Sequence, residues 1–339
     1  MGIETSCDEC AAAIVQDGKK VLSNVVATQI PFHALYQGVV PEIASRMHTE
    51  WISGVVSQSL KEAGIGSDGV DAVAVTARPG LLGSLLVGLN FGKAFAWARS
   101  IPFIAVDHML AHLYAPNLDE DIEYPFLGLL VSGGHTIICK VDAFDDITVL
   151  GTTIDDAVGE AFDKVSKHYG FGYPGGLYID ALAKKGDSDA FRFPLPSLHK
   201  GSHHYDVSYS GLKTAAVNQL EQFRRKVGKK GPAETNDANI AASFQKVAID
   251  ILLRSLFRAS EDTGLRTVVA GGGVAANSYL REVLSEHKDL HCHFPPLKLC
   301  GDNGAMIAGL GFKYLERGES SPLDATASPR VPAFKRRYP

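Results

Sequence analysis

Phe126–Val141 reads FLGLLVSGGHTIICKV. Phe126 to Val131 is an apolar run of the length of a buried strand. Ser132-Gly133-Gly134-His135 is a small polar turn, and Thr136 to Val141 reads as the next strand. Ile147 to Gly151 follows as a third. The same order opens the chain. Gly2 to Thr5 reads as a short strand, Ser6-Cys7-Asp8-Glu9 as a polar turn and Ala11 to Val15 as a strand. Gln16-Asp17-Gly18-Lys19 is a hairpin turn, and Val21 to Val26 is a third strand. The two stretches share a pattern rather than residues. The repetition points to a structural duplication: two related α/β lobes, each beginning with a hairpin whose first turn faces a shared cleft.

The bulk properties agree with two lobes. A chain of 339 residues exceeds the usual single domain. Its 45% hydrophobic content is enough to bury two cores. The formal net charge of −5 excludes a global basic field for nucleic acid, so any such contact must use a local patch or a partner. Five scattered cysteines argue for a reducing compartment rather than a disulfide framework. Cys7 and Cys10 form a CxxC, with no second pair at zinc-ribbon spacing. No signal peptide and no membrane span are expected, and the setting expected is cytoplasmic.

Between the two copies, Val40–Leu60 reads as a helix and Val70–Thr76 as a strand. Gly80–Ala98 carries small residues at Gly83, Ser84, Gly88 and Gly92, which allow close approach to another backbone or to a ligand. The strand Phe103–Val106 leads into DHMLAHL at Asp107–Leu113. His108 and His112 stand four apart with no breaker between them. A helix there presents both imidazoles on one face, as two nitrogen ligands of one divalent metal would be. A third hard ligand is available at Asp302, where Gly301-Asp302-Asn303-Gly304 opens an Ala/Gly-rich helix; its alternative role is an N-cap. Two imidazoles and a carboxylate leave coordination positions open, as a site that polarises a ligand requires.

Beyond the second copy, a helix is expected from Ile154, with Asp155 and Asp156 at its positive end. Residues 183–240 look polar and irregular, with basic runs at Arg224-Arg225-Lys226 and Lys229-Lys230. Thr267–Ala270 runs as a strand into Gly271-Gly272-Gly273, then a helix through Arg281. Strand, glycines and helix place free N–H groups where a phosphate fits. The pattern is neither GxGxxG nor GxxxxGK[ST], so it supports neither a dinucleotide fold nor a P-loop.

With these motifs in hand, the sequence resembles the tRNA threonylcarbamoyladenosine transferase family, in particular its bacterial TsaD branch, once labelled glycoproteases. The resemblance rests on GIETSCDE (Gly2–Glu9), GVVPEIASRMH (Gly38–His48), PGLLGSLLVG (Pro79–Gly88) and DHMLAH (Asp107–His112). It continues through VSGGHT (Val131–Thr136), DDAVGEAFDK (Asp155–Lys164), YPGG (Tyr173–Gly176) and SYSGLKTA (Ser208–Ala215). GGGVAANSYLR (Gly271–Arg281) and DNGAMIA (Asp302–Ala308) complete it. Departures are small: Cys10 stands where many members have Thr, and Gln37 and Arg78 where many have Gly. The last two put substrate handling in question.

The resemblance implies a two-lobed α/β actin-like/Hsp70-like/sugar-kinase (ASKHA) fold with duplicated lobes. The N-terminal lobe would span 1–107, completed by the C-terminal helix at about 303–339. The C-terminal lobe would span 108–302, with the active site in the cleft. It implies transfer of threonylcarbamoyl from threonylcarbamoyl-AMP to N6 of adenosine 37 in tRNAs reading codons that begin with A. His108, His112 and Asp302 would hold one divalent metal, Fe2+ first and Zn2+ as the alternative. Leu130, Val131, Ser132, Gly133, Gly134, Asp163, Gly176 and Asn277 would line the adenylate site, with Asp180 a further ribose contact. Glu9 and His135 would sit near the reacting group. A paralogous TsaB-like partner of the same fold and a small TsaE-like ATPase are expected, although organelle-type relatives act as homodimers.

Three rivals use other chemistry. A zincin-type metallopeptidase needs HExxH, and the residue after His108 is Met109, so the base is missing. A sugar kinase or ATPase of the same fold would have no need of His108. A non-enzymatic binding module would tolerate loss of all three ligands.

Overall fold

The computed structural model describes residues 1–36, 38–196, 201–227 and 233–330. The chain forms two compact units. The first holds Met1–Glu123, Ala143–Asp146 and the described residues from Pro295 on; the second holds Tyr124–Asp142 and Ile147–Phe294.

The first unit is built on β1 (Gly2–Glu4), β2 (Glu9–Gln16), β3 (Lys20–Thr28), β4 (Val73–Arg78) and β5 (Phe103–Asp107), in the order β3-β2-β1-β4-β5. β1 pairs antiparallel with β2 (Ile3↔Ala12) and parallel with β4 (Ile3↔Val75). The second unit is built on β6 (Phe126–Val131), β7 (Thr136–Ala143), β8 (Asp146–Thr152), β9 (Thr267–Gly271) and β10 (His291–His293), ordered β10-β9-β6-β7-β8. β6 pairs antiparallel with β7 (Leu129↔Ile138) and parallel with β9 (Leu129↔Ala270). Each sheet therefore has a first strand flanked by its own antiparallel neighbour on one side and two parallel strands on the other. The order is the same in both, as the repeated strand–turn–strand pattern predicts. Every residue of the two first strands, β1 and β6, is buried. That is the signature of sheets covered on both faces.

The helices of the first unit are α1 (Ile30–Ala34), α2 (Pro41–Ala63), α3 (Leu82–Arg99) and α4 (His108–Tyr114). Those of the second are α5 (Val158–Tyr169), α6 (Gly175–Ala183), α7 (Ser210–Val227), α8 (Ala233–Thr263) and α9 (Ser278–Glu286). The last helix, α10 (Gly304–Glu316), returns to the first unit and packs on β1 and β2. That contact is backbone to backbone: a Cβ on Gly304 would lie 2.6 Å from the amide nitrogen of Ala13. The small residues of α3 serve the core, since side chains on Gly88 and Gly92 would strike Thr5 and Val75.

The first unit continues past Asp107 to Glu123, because α4 packs on α10 of the same unit. Two local expectations are corrected. The helix expected from Ile154 starts at Val158, with Ala157 as its N-cap. Asp155 is used elsewhere: it accepts hydrogen bonds from the Tyr209 amide at 2.8 Å and from the Ser208 hydroxyl. The stretch expected to be irregular carries α7, whose buried Leu212 and Ala216 lie one turn apart. Lys229 and Lys230, like Gln37 and the tail with Lys335, Arg336 and Arg337, lie outside the described residues.

Beyond α10 the chain straps the free edge of β5. Ser321 donates its amide to Phe103 O at 2.7 Å, and its hydroxyl oxygen accepts from the Ala105 amide at 2.9 Å. Farther on, the Ser328 amide donates to Ala77 O at 2.9 Å. The strap satisfies edge groups that would otherwise offer a template for another strand. Among the described residues, no helix is long and apolar enough to cross a membrane.

Candidate functional site

In the first unit the side chains that matter lie at the carboxyl ends of β1 and β5 and just before α10. Asp107 ends β5 and caps α4, accepting from the amides of Met109 at 2.9 Å and Leu110 at 3.2 Å. The cap fixes where α4 starts, and hence where His108 and His112 point. Their rings pack edge to face, 4.5 Å between centroids. Asp302 lies across from them: its Oδ1 is 3.1 Å from His112 Nε2 and 3.6 Å from His108 Nε2. One ligand atom from each of the three residues lies within 4.8 Å of the others, close enough for one ion. The alternative role for Asp302 is not the one it plays. Asn303 is the N-cap of α10, accepting from the Met306 amide at 3.0 Å.

A fourth residue belongs to this cluster. Glu4, fully buried in β1, accepts from His108 Nδ1 at 2.9 Å, from the Thr76 hydroxyl at 2.5 Å and from the Ser6 amide at 2.5 Å. A bond at Nδ1 leaves Nε2 of His108 directed at Asp302. Burial opposes charge on His108, but Glu4 and then Asp302 outweigh it and push its pKa up to about 9. His112 is held below the usual imidazole range, by burial first and then by His108. Sequence reading missed Glu4 because its partner is 104 residues away. The signal was a lone carboxylate in an apolar strand, which needs a partner to be buried.

The turn after β1 places Glu9 at the start of β2, where it accepts from the Thr28 hydroxyl at 3.2 Å. Its carboxyl is pushed up to about 10, by burial first and then by the neighbouring charges of Asp8 and Asp302. Buried His48, from α2, donates Nε2–H to the Cys7 carbonyl at 2.9 Å and so braces the same turn. Cys7 and Cys10 are both free thiols. Arg78 lies 3.8 Å from the Asp107 carboxylate with its side chain 45% exposed, so it faces solvent beside the cluster.

The second unit gathers the remaining candidates around the end of β6. Leu130 and Val131 are buried, so they offer backbone rather than side chains. The turn that follows is closed on itself: the Ser132 amide donates to His135 O at 2.8 Å, and the His135 amide donates to Ser132 Oγ at 3.1 Å. Gly133 and Gly134 are exposed, and a Cβ on either would meet nothing within 4 Å. Gly272, at the end of the neighbouring β9, has φ +92°. A Cβ there would lie 2.3 Å from Val131 O, so the glycine lets β9 and β6 stay close at the turn. A short 3-10 turn, Gly273–Ala276, separates these glycines from α9.

The polar candidates of this unit hold those turns in place. Asp163 accepts from the Gly175 amide at 2.6 Å, which positions the start of α6; Gly176 beside it is open. Asp180 accepts from the amide and hydroxyl of Ser278, at 2.9 and 2.7 Å. Asn277 caps α9 through the Leu280 amide at 3.0 Å and donates to Gln245 at 2.8 Å. Gln245, on α8, was not foreseen and carries no local sequence signal. The second unit thus offers an open glycine turn suited to backbone recognition of a phosphate.

The family model described as TsaD, tRNA N6-adenosine threonylcarbamoyltransferase, matches residues 20–309. A curated protein of that name from Treponema denticola is 64% identical, covering 99% of this chain and 98% of its own length. Its namesakes in Treponema pallidum and Borreliella burgdorferi are 55% and 52% identical over 99% and 100% of this chain. Among solved structures, full-length HypF in its phosphate- and nucleotide-bound form matches at TM-score 0.58 and 14% identity, over 93% of this chain and 55% of its own. Component A of the Acidaminococcus fermentans (R)-2-hydroxyglutaryl-CoA dehydratase matches at TM-score 0.55 and 13% identity, over 94% and 98%. At that identity the likeness concerns the fold.

Proposed function

The chain belongs to the tRNA N6-adenosine threonylcarbamoyltransferase family, and from that premise we propose how its residues divide the work. It is an acyltransferase that forms N6-threonylcarbamoyladenosine in tRNA. The family implies a divalent-metal site.

In our reading the donor is threonylcarbamoyl-AMP and the acceptor is N6 of adenosine 37 in tRNAs reading codons that begin with A. An exocyclic adenine amine is a poor nucleophile, whereas a mixed carbamic–phosphoric anhydride is already activated. N6 attacks the carbamoyl carbon, the bond from that carbon to the phosphate oxygen breaks, and AMP leaves while N6 gives up a proton. The protein's task is then to position two reactants and stabilise developing charge. The turn Ser132-Gly133-Gly134, with backbone from Leu130 and Val131, would hold the phosphate of the adenylate. Asp163, Gly176, Asp180 and Asn277 would shape the nucleoside site, the carboxylates by holding Gly175 and Ser278 in place. Glu9 and His135 would stand near the reacting group, Glu9 as a neutral carboxyl able to donate a hydrogen bond.

His108, His112 and Asp302 would hold one divalent ion, Fe2+ in preference to Zn2+, which when bound supplies a positive centre that orients an oxygen-rich threonyl group. The convergence of their three ligand atoms is the observation that carries this part. Elemental analysis of purified His108→Ala/His112→Ala protein tests it: a folded protein without metal is expected, and full metal content would refute the assignment. The reaction itself is tested with threonylcarbamoyl-adenylate and unmodified tRNA, read by nucleoside analysis. The modified nucleoside is expected with the parent and not with the double variant. Mg-ATP turnover on a polyol, indifferent to His108, would instead favour a sugar kinase. A TsaB-like paralogue and a TsaE-like ATPase would assist turnover in a cytoplasmic setting.

A further inference from the structure

Glu4 is a carboxylate with no exposure to solvent, yet it does not stand at the ligand positions. The reason it is where it is lies in the strand. Residues of β1 alternate between faces, so Gly2 and Glu4 leave the same side. That side is the one α10 covers, for a Cβ on Gly2 would collide with the Gly304 carbonyl. Ile3 points the other way, into an apolar core. A carboxylate on the α10 side has three donors within reach, and Glu4 takes all of them: Ser6 N–H on one oxygen, Thr76 O–H and His108 Nδ1–H on the other.

We infer that Glu4 is a positioning residue for the metal: it accepts the Nδ1 proton of His108 and thereby commits Nε2 to the ion. This rests on the reading of His108, His112 and Asp302 as ligands. A ligating imidazole ordinarily gives its second nitrogen's proton to a carboxylate or carbonyl, which fixes the tautomer and raises ligand basicity. Thr76 and Ser6 lock the carboxylate itself, so the ring is held through a rigid acceptor on the central strand. His112 has no such support. Its Nδ1 is buried without a hydrogen-bond partner among the described residues, so the burden of orientation falls on the Glu4–His108 pair.

The test compares Glu4→Gln, Thr76→Val and the parent, each stripped and titrated with Co2+ and Zn2+ against a chelator. A glutamine in this cage cannot satisfy Ser6 N–H and His108 Nδ1–H and also keep its own NH2 away from both. It either opposes a donor with a donor or turns its NH2 to Nδ1, which puts the ring proton on Nε2. Metal affinity is expected to fall about 10–100-fold, with a changed visible spectrum of the bound Co2+. Thr76→Val removes one of the two donors that brace the carboxylate but leaves the His108 bond, so it should lose less affinity than Glu4→Gln and keep the parent's Co2+ spectrum. Unchanged affinity in Glu4→Gln, or an equal loss in both variants, overturns the inference. A measurement on the parent alone covers the case in which Glu4→Gln does not fold. In 15N-histidine-labelled, Zn2+-loaded protein, His108 should carry its proton on Nδ1 and the metal on Nε2; the reverse overturns the inference. If His108→Ala/His112→Ala retains its metal, the ligand assignment itself has failed, which is a different result.

Discussion

At the scale of single residues, the fully buried Glu4 and the half-buried Glu9 divide by partner. Glu4 has three donors and stays charged: burial opposes this, but His108 and the Ser6 amide hold its pKa below the usual carboxylate range. Glu9 has a single hydroxyl donor, with Asp8 and Asp302 as neighbouring charges, and is pushed up to about 10. The consequence for stability has a definite sign. Between its ordinary value of 4.5 and about 10 the folded protein keeps the Glu9 proton and the unfolded chain loses it. Folding then binds a proton, so this group's contribution to stability falls as pH rises through that window. Glu9→Gln removes the dependence. In the metal-free protein its melting temperature should exceed the parent's, by more at pH 8 than at pH 5. A gap that shrinks with rising pH would mean that Glu9 is charged in the fold. The histidine pair was legible because a helix brings i and i+4 together. Asp302 was legible only as one option, since a carboxylate ahead of a helix reads equally well as a cap. Glu4 was not legible, because a buried carboxylate can be assigned a partner only after β1 and β5 are known to share a sheet.

At the scale of elements, the hairpins were legible because period-2 runs broken by short polar turns have few other readings. The start of α5 was not, because Asp155 and Asp156 suit a helix N-terminus as well as they suit what they do. Asp155 binds backbone 54 residues away, and Asp156 pairs with Lys164 and Lys213 at 2.6 and 2.5 Å. Glycine stretches look alike in sequence, but the structure separates them by what a side chain would meet. Gly272 has φ +92° and ψ 165°, a region nearly closed to other residues, with Val131 O in the way. Gly272→Ala should therefore lower stability by about 1–3 kcal/mol in denaturant unfolding. Gly133 faces open space, so Gly133→Val should leave the unfolding midpoint nearly unchanged. Its cost should fall on binding: calorimetry with a nucleotide monophosphate should show weaker affinity, because the side chain keeps phosphate from the turn. Equal stability losses in the two variants, or nucleotide affinity unchanged in Gly133→Val, would mean that the turn does not receive the phosphate.

At the scale of the whole molecule, the duplication was legible and the path of the C-terminus was not. Nothing in SSPLDATASPR at Ser320–Arg330 suggests an edge strap, because its anchors are main-chain bonds to Phe103 and Ala77 and a lysine, Lys93, donating to Ala325 O. The strap decides where the basic tail sets out from. Ser328 is tied to Ala77, and the next residue of β4 is the half-exposed Arg78, beside the Asp107 cap of the His108 helix. With a net charge of −5, the protein has to hold tRNA through local cations. Lys335, Arg336 and Arg337 lie within seven residues of Arg330, a reach of at most ~25 Å from that point. Ending the chain after Arg330 removes these charges and leaves every anchor of the strap, so the melting temperature should hold. If the tail tracks phosphates, tRNA affinity should fall alike for all sequences, and the slope of log affinity against log salt should flatten by about 0.7–0.9 per lost contact. Reversing Arg224, Arg225 and Lys226, whose backbone ends α7, asks the same question of the second unit. An unchanged slope in the truncated protein with a flattened one in the reversed variant would move the phosphate contact to α7. Unchanged slopes in both would hand it to the Gly38–His48 segment or to a partner protein.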